Sequence, residues 1–344
     1  MTLSEFLGIE LPVIQAPMAG VQGSAMTMAV SNAGGLGSLP CAMLTPESMR
    51  AELQAIAAGT ARPYNVNFFC HTPPTPDAAR DLRWHEALAP YYAEFGIDAS
   101  TIAPGGGRAP FSDAVADVLA EFKPPVVSFH FGLPSPALLQ RVKSWGAKVL
   151  ASATTVAEAR WLEANGADAI IAQGLEAGGH RGIFLSDDLT TQIGTMALLP
   201  QVLRAVHVPV IAAGGIADAQ GVQAALALGA AGVQIGTSYL LCPEATTTEL
   251  HRAALKSPRA EHTVLTNLIT GRPARGILNR LMKELGPIGE AAPAFPLATA
   301  ALVPLKAAAE KLGRDDFSTL WSGQNASGCH EIPAAELTRL LAGA

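Results

Sequence analysis

Short apolar runs alternate with longer amphipathic stretches along the first two thirds of the chain. The apolar runs predict eight buried strands, at residues 12–16, 36–39, 64–69, 126–131, 148–152, 168–173, 208–213 and 232–236. The amphipathic stretches predict helices at residues 24–33, 46–58, 136–145, 156–165, 194–206 and 218–228. Strand–helix alternation is typical of a parallel sheet, and eight such units over this length favour an α/β fold of the (β/α)8 (TIM) barrel type.

Two regions depart from this alternation. Residues 76–122 predict two helices, separated at Pro104-Gly105-Gly106-Gly107 by a flexible loop. Beyond Cys242 the strand pattern stops, and residues 247–255, 275–284 and 297–312 predict helices. We therefore expect a barrel over residues 1–241, a smaller, mainly helical lobe over residues 242–296 that covers the barrel mouth, and a C-terminal helical segment over residues 297–344 that returns to the barrel.

The charge balance argues against nucleic acid or a membrane as a partner. The 344 residues contain 23 Lys and Arg against 29 Asp and Glu, which gives a formal net charge of −6, and no basic block occurs. No apolar run reaches the roughly 18 residues that a membrane span needs, and residues 1–10 lack the basic start of a signal peptide. We therefore expect a cytoplasmic protein, and its mean hydropathy of +0.27 predicts an extensively buried interior.

The cysteines predict a reducing environment. Cys41, Cys70, Cys242 and Cys329 lie far apart and form no Cys-x-x-Cys pair. This spacing disfavours a disulfide scaffold and a structural zinc site, because both need cysteines that can be brought together in a fixed pattern. We expect free, buried thiols and no bound metal.

Candidate chemistry lies in the loops after the strands, because ligands of a (β/α)8 barrel bind at the carboxyl ends of its strands. Ala213, Gly214 and Gly215 end strand seven, and Gly236 and Thr237 end strand eight, where such barrels commonly hold a phosphate. Glycine lets backbone N–H groups approach phosphate oxygens without interference from a Cβ atom, and Thr237 adds a hydroxyl. The alternative is that these glycines only form tight strand–helix turns.

His180 is the first candidate for proton transfer. It follows strand six in a glycine-rich segment, residues 174–182, and imidazole is the natural proton-transfer group near neutral pH. The alternative is a loop histidine bonded to a neighbouring carboxylate such as Glu176, and the residues alone leave both possibilities open. His71 follows strand three and is a candidate for the substrate pocket. His130 lies inside strand four, either as a core residue or as part of the barrel mouth.

Uncharged side chains at other strand ends suit a flat ligand. Asn67 and Gln173 carry amides that both donate and accept hydrogen bonds, as the edge of a flavin or a nucleobase requires. Pro17 and Met18 follow strand one and offer a flat apolar contact, although methionine more often fills gaps in a core.

Four segments resemble the motifs of class I nitronate monooxygenases, formerly called 2-nitropropane dioxygenases. They read QAPMAGV at residues 15–21, NFFCH at 67–71, SFHFGLP at 128–134 and EAGGHRG at 176–182. The resemblance covers nearly the whole chain and continues through Ala274-Arg275-Gly276 and Asn279-Arg280 to Trp321-Ser322-Gly323-Gln324. Four motifs in the family's order are specific, whereas the glycine pairs after strands seven and eight occur in many FMN barrels.

This resemblance implies a (β/α)8 barrel with a smaller lobe and a non-covalently bound FMN. It implies oxidation of alkyl nitronates, such as propionate-3-nitronate, by O2 to a carbonyl compound and nitrite. The histidine of the AGGH motif, here His180, would be the catalytic base that removes the α-proton of a neutral nitroalkane. The expected partners are these small molecules alone, with the chain as a monomer or a homodimer.

Family roles are carried over by position. Those expected around FMN are Ala16, Pro17, Met18, Asn67, Gln173, Gly178, Gly179, Ala213, Gly214, Gly215, Gly236, Thr237 and Gln324. Those expected in the substrate pocket are His71, His130 and Phe295. Family members often carry Tyr-Pro-Leu where this chain reads Phe295-Pro296-Leu297, so loss of the phenol is expected to alter substrate preference or nitronate anchoring.

Three other functions stay open from the sequence. Related barrels host NAD(P)H-dependent quinone reductases and enoyl-thioester reductases, which anaerobic bleaching of the flavin by NADH or NADPH would reveal. A phosphate-binding barrel like inosine-monophosphate dehydrogenase needs a loop cysteine after a glycine-rich turn, and none of the four cysteines has that setting. A flavin-binding protein without turnover would be yellow and inactive with every oxidant.

Overall fold

The computed structural model describes residues 2–102 and 108–344. Its barrel strands are Val13–Gln15 (β1), Gly37–Pro40 (β2), Tyr64–Phe69 (β3), Val126–His130 (β4), Lys148–Ala153 (β5), Ala169–Gln173 (β6), Val210–Ala213 (β8) and Gly232–Ile235 (β9), with a short strand, Gly179–His180 (β7), between β6 and β8. The barrel strands are parallel in the order β1-β9-β8-β6-β5-β4-β3-β2, and Ile14 bridges to Leu36 where β1 meets β2. The predicted (β/α)8 barrel and its eight predicted strands are therefore confirmed.

Helices cover the outside of the barrel, and several begin at side-chain caps. Thr45 accepts a hydrogen bond from the Ser48 N–H with Pro46 in the first turn, a combination that favours helix initiation. The α-helices are Leu3–Leu7 (α1), Ser24–Asn32 (α2), Pro46–Gly59 (α3), Ala78–Phe95 (α4), Asp113–Phe122 (α5), Pro136–Lys143 (α6), Val156–Ala164 (α7), Thr195–Leu203 (α8), Ala219–Ala227 (α9), Glu249–Leu255 (α10), Arg280–Leu285 (α11), Thr299–Lys311 (α12) and Ala334–Ala342 (α13). The loop predicted at residues 104–107 lies outside the described residues.

A small antiparallel sheet stands beside the barrel mouth. It consists of Thr263–Thr266 (β10), Ala274–Ile277 (β11) and β7, in the order β10-β11-β7. The prediction that strands stop at Cys242 is therefore wrong, and so is the helical assignment of residues 275–277, since α11 begins only at Arg280. The reason is tertiary: β11 pairs with β7, which is remote in sequence, and no local apolar period marks either strand.

The barrel interior changes character along its axis. At the amino-terminal ends of the strands it is filled by an apolar cluster that includes Ile14, Leu150 and Ile211. Toward the carboxyl ends, a buried polar layer replaces it, in which the Asn65 Nδ2 donates to Ser38 Oγ and Ser128 Oγ, both at 2.9 Å. These hydrogen bonds fix the Asn65 Nδ2 beneath the barrel mouth, whereas its Oδ1 is buried and, among the described residues, has no partner.

Helices of the C-terminal third pack on both the lobe and the barrel. α12 packs against α4, and α13 packs against α2 and α9 of the outer helical layer. The predicted boundaries at residues 241 and 296 stay a prediction. All four cysteines are free, with Cys41 and Cys242 buried and Cys70 and Cys329 half-buried. Over residues 2–102 and 108–344, no helix is long and apolar enough to cross a membrane.

Candidate active site

A cavity of about 430 Å³ opens at the carboxyl ends of the barrel strands. Most residues predicted for the site line it: Ala16, Pro17, Met18, Asn67, His130, Gln173, Gly178, Gly179, His180, Ala213, Gly214, Gly215, Gly236 and Thr237. Gln324, His71 and Phe295 do not line it. The Gln324 side chain is exposed, and its backbone N–H donates to the Glu176 carbonyl at 2.9 Å, while Gly323 and Asn325 reach the wall.

Glycines form one wall of this cavity with their backbone. Gly214 and Gly215 have φ angles of +118° and +74°, which side-chain-bearing residues rarely adopt. A Cβ atom on Gly178 would lie 2.5 Å from the Gly323 nitrogen, so the segment before His180 is closely packed. The Thr237 hydroxyl accepts a hydrogen bond from the Gly323 N–H at 2.9 Å, which leaves its own proton free to donate. This wall offers backbone and hydroxyl donors to an anionic group such as phosphate.

Glu176 holds the glycine wall together and does not contact His180 through its carboxylate. Its Oε2 accepts hydrogen bonds from the Thr195 N–H at 2.8 Å and from the Thr195 hydroxyl at 2.9 Å. Thr195 is the first residue of α8, where a carboxylate satisfies free N–H groups and the helix dipole. The alternative of a His180–Glu176 pair is therefore wrong, and sequence reasoning missed this capping role because the two residues are not adjacent in the chain.

Gln173 and Arg181 fix the segment that carries His180. The Gln173 Nε2 donates to the His180 carbonyl at 3.0 Å, and its Oε1 accepts from the Gly182 N–H at 2.8 Å. The fully buried Arg181 donates to the carbonyls of Gln173 and Gly174, at 2.8 Å and 2.7 Å. Both ends of the Gln173 amide are thus engaged within the protein, although the side chain lines the cavity.

Gln234, a site residue that the sequence analysis did not select, carries an unpaired polar atom. Its Oε1 is buried and, among the described residues, has no hydrogen-bond partner. Gln234 lies on β9 and lines the cavity. A buried acceptor without a donor costs roughly 1–3 kcal/mol, so this position favours a ligand that brings an N–H or O–H group. Its place at a strand end was the signal available in the sequence.

His180 is fixed both through its backbone and through its ring. As part of β7, its backbone pairs with Ala274 on β11, and its Nε2 lies 2.9 Å from the Thr270 hydroxyl. Desolvation in the cavity lowers the pKa of His180 well below its ordinary value, and the positive charge of Arg108 adds to the shift. The imidazole is therefore neutral at physiological pH and has a lone pair that can accept a proton.

Aromatic rings back the His180 side chain. Phe69, Phe131 and Phe295 form a buried cluster, and the ring centroids of Phe131 and Phe295 lie 5.9 Å and 5.3 Å from that of His180. His71 packs edge-on against Phe295 at 4.8 Å, so both residues lie behind the cavity wall. Phe131 has a φ of +69°, an unusual value for a bulky residue, which indicates that the surrounding structure enforces its position.

His130 is a neutral neighbour of His180. Its Nε2 lies 3.2 Å from the His180 carbonyl oxygen, and the neutral ring can donate this hydrogen bond. Burial lowers the pKa of His130 to about 3. The ring therefore stays uncharged at physiological pH and supports the backbone of His180. Across the described residues, no cluster of three or more His, Cys, Asp or Glu side chains could hold a metal ion.

His251 is expected to make the fold acid-sensitive. Burial lowers the pKa of this histidine from 6.5 to about 4, and its Nε2 lies 3.0 Å from the Trp321 carbonyl oxygen. Between these pKa values the unfolded chain binds a proton that the folded chain does not, so stability falls as the pH falls, by about 1.4 kcal/mol per pH unit. The unfolding free energy falls as the pH is lowered from 6.5 to 5, and this fall should be smaller by about 2 kcal/mol in His251→Gln than in the unsubstituted protein. Urea unfolding at the two pH values measures the difference.

The exposed His330 provides the matched control. His330→Gln should leave the slope of unfolding free energy against pH unchanged. A slope for His251→Gln equal to that of the unsubstituted protein would contradict the assignment.

Comparison with proteins of known sequence gives a family for the whole chain. The family model described as nitronate monooxygenase matches residues 1–343. A nitronate monooxygenase of Pseudomonas aeruginosa is 43% identical over 340 residues, which cover 98% of this chain and 97% of that protein.

Solved structures with the same fold extend this result. The nitroalkane oxidase from Streptomyces ansochromogenes is 40% identical with a TM-score of 0.90, over 99% of this chain and 96% of that chain. FabK from Thermotoga maritima is 27% identical with a TM-score of 0.71, over 99% of this chain and 94% of that chain. The chain therefore belongs to the nitronate monooxygenase family, which is generally flavin-dependent.

Proposed function

We propose that this enzyme holds FMN in the cavity at the barrel mouth and oxidises alkyl nitronates with O2 to a carbonyl compound and nitrite. One observation carries the proposal: a neutral imidazole, His180, lines the same cavity as the glycine-rich ends of β8 and β9. A phosphate-binding wall and a proton acceptor in one cavity match what a flavin enzyme acting on nitro compounds needs.

The residues present fit FMN. Gly214, Gly215 and Thr237 would hold the phosphate through backbone N–H groups and a hydroxyl, while Pro17 and Met18 would lie against the ring system. The Gln234 Oε1, buried without a partner in the described part of the chain, would accept a hydrogen bond from the polar edge of the flavin. When bound, FMN would supply the electron-accepting chemistry of the reaction.

His180 would act as the base toward neutral nitroalkanes. The Thr270 hydroxyl lies 3.4 Å from the Arg272 carbonyl oxygen, to which it can donate, and 2.9 Å from the His180 Nε2. If the hydroxyl donates to the carbonyl, it accepts from Nε2–H, and the lone pair of Nδ1 is left to take the α-proton. A nitronate is already deprotonated, so it needs binding and orientation but no base.

The rings of Phe69, Phe131 and Phe295 would exclude water behind the base. They are buried together, with centroids 4.9 Å apart for Phe69 and Phe131 and 5.5 Å apart for Phe131 and Phe295. An apolar wall strengthens electrostatic interactions inside the cavity, because it lowers the local dielectric.

Oxygen consumption by the yellow holoenzyme tests the proposed function. Addition of propyl-2-nitronate or propionate-3-nitronate should start O2 uptake with release of nitrite, both measured in the same sample. In a parallel experiment, NADH or NADPH is added to the enzyme without oxygen, and bleaching of the flavin absorbance is measured. Rapid bleaching of the flavin by either nucleotide, with no O2 uptake on nitronates, would contradict the proposal and favour a reductase.

The pH dependence should report the lowered pKa of His180. A base acts in its unprotonated form, so a lowered pKa moves the loss of activity to a lower pH than an ordinary histidine would give. We expect kcat/KM for 2-nitropropane, added from a neutral stock, to show no inflection as the pH falls through 6.5. An acid limb centred at 6.5 would show that the base has an unperturbed pKa and would contradict this assignment.

A further inference from the structure

Arg108 places an uncompensated positive charge on the cavity wall. Its side chain is half-buried and lines the cavity, with the guanidinium carbon 5.7 Å from the centre of the Phe295 ring. In the described residues its guanidinium has neither an ion pair nor a hydrogen bond, and burial alone lowers its pKa. Residues 103–107, which precede it, read APGGG and include no acidic side chain. Because a partly desolvated cation without an anion is unfavourable, this position favours an anionic ligand.

The arginines whose charge acts on His180 are Arg108 and Arg272. Arg272 lies 4.0 Å above the Phe131 ring, and its Nη2 donates to the Ile183 carbonyl. Its acidic neighbours, Asp187 and Glu158, partly offset its charge, whereas Arg108 has no such neighbour. Arg272 does not line the cavity, whereas Arg108 does, so Arg108 is the arginine within reach of a ligand there.

We propose that the Arg108 guanidinium binds the two oxygens of the substrate's nitronate group and so anchors the substrate beside His180. The inference rests on the proposed nitronate oxidation. A nitronate carries two oxygens on one nitrogen and shares a negative charge between them, as a carboxylate does, and the planar guanidinium fork matches that geometry. The nitronate is the one anion common to every substrate of the proposed reaction.

The same charge acts on both partners of the proton transfer. When a nitroalkane loses its α-proton, negative charge develops on the nitro oxygens, and a fixed cation stabilises it. The cation also disfavours imidazolium, since the charged and titratable groups that face His180 are Arg108, Arg272, His130 and His71. A bound nitronate between the guanidinium and the imidazole offsets this repulsion, so Arg108 serves both substrate binding and proton abstraction.

Arg108→Met and Arg108→Lys test the proposal in the FMN-loaded enzyme, with propyl-2-nitronate and propionate-3-nitronate as substrates. Arg108→Met should raise KM for both nitronates by about 10- to 100-fold, with a smaller effect for Arg108→Lys. Arg160→Met is the matched control, because Arg160 is an exposed arginine on α7 that does not line the cavity; its KM should change by no more than about twofold. The acid limb with 2-nitropropane should move to higher pH in Arg108→Met, because removing the cation raises the pKa of His180.

Nitrate, a planar oxyanion that is not oxidised, gives a readout without turnover. It should perturb the flavin absorbance of the unsubstituted holoenzyme and compete with propyl-2-nitronate, and Arg108→Met should weaken its binding about tenfold or more. Unchanged KM and unchanged nitrate binding in Arg108→Met with FMN retained would overturn the proposal. A rise in KM confined to propionate-3-nitronate would also overturn the proposal, since Arg108 would then bind the carboxylate group of that substrate and not its nitronate group.

Failure of a variant or of the proposed function can be told apart from failure of this inference. If Arg108→Met loses FMN, the test uses Arg108→Lys and the nitrate titration of the unsubstituted enzyme instead. Absence of competition between nitrate and propyl-2-nitronate in the unsubstituted enzyme would then overturn the inference. If the unsubstituted enzyme consumes no O2 with either nitronate, the proposed function fails, and nitrate binding still tests whether Arg108 receives an oxyanion.

Discussion

Replacement of His180 by asparagine is expected to lower kcat/KM for neutral 2-nitropropane by about 10²- to 10⁴-fold, the usual contribution of a positioned base. The loss should be far smaller for preformed propyl-2-nitronate, because that substrate arrives without its α-proton. The backbone of residue 180 stays paired with Ala274, and its carbonyl still accepts from the Gln173 Nε2, so the segment should keep its position and FMN its site. Oxygen uptake at pH 7 with both substrates measures the two effects.

His130→Asn separates a lost base from a displaced one. His130 bonds to the His180 carbonyl at 3.2 Å and supports that residue without acting as the base in our assignment. Its replacement should lower activity on both substrates by the same factor, so that their ratio is unchanged. Equal losses on the two substrates in His180→Asn, with FMN retained, would be incompatible with His180 as the base.

The barrel could be predicted because most of its strands are short, mainly apolar runs that alternate with amphipathic stretches. Strands that are covered by helices on one face and by the barrel interior on the other need apolar side chains on both faces. β3 begins at Tyr64 and ends at Phe69, as predicted, and the other barrel strands differ from the prediction by a few residues at their ends. Glycine and proline between the runs marked the turns.

The small sheet could not be predicted in the same way. β7 has two residues, Gly179 and His180, and neither the mostly half-buried β10 nor the fully buried β11 shows a sustained alternation. Their pairing depends on the barrel first bringing residues 179–180 next to residues 274–275. The sequence predicts one helix over residues 275–284, but the structure pairs residues 275–277 in β11 and begins α11 at Arg280, because tertiary pairing overrides local helix preference.

The same distinction between local and tertiary signals separates the site residues that the sequence predicts from those that it does not. Residues directly after barrel strands, such as Asn67 and Gly214, could be placed because the fold brings all strand ends to one face. Arg108 belongs to no strand end and to none of the four motifs, so only its position on the cavity wall identifies it. The family resemblance places Gln324 near FMN, but in the structure its backbone N–H, rather than its side chain, donates a hydrogen bond to the Glu176 carbonyl.

Gly236 provides the sharpest test of the cofactor wall. Its φ of −115° is one that a side-chain-bearing residue can adopt, so a substitution acts through its side chain rather than through backbone strain. A Cβ atom at this position would lie 3.3 Å from the Ala16 Cβ and 3.4 Å from the Met18 Sδ. Both neighbours belong to the loop after β1, which lines the same cavity, so added bulk would push this loop toward the space assigned to the flavin.

Gly236→Val is therefore expected to weaken FMN binding by about 10- to 100-fold, which corresponds to the 1–3 kcal/mol that overpacking commonly costs. Titration of FMN into deflavinated protein, followed by quenching of FMN fluorescence, measures the dissociation constant. Gly289→Val is the matched control, since a Cβ atom there would lie 3.1 Å from the Leu268 Cδ2 and neither residue lines the cavity. FMN should bind that variant as tightly as it binds the unsubstituted protein. Equal dissociation constants for Gly236→Val and Gly289→Val would mean that the flavin does not use this wall.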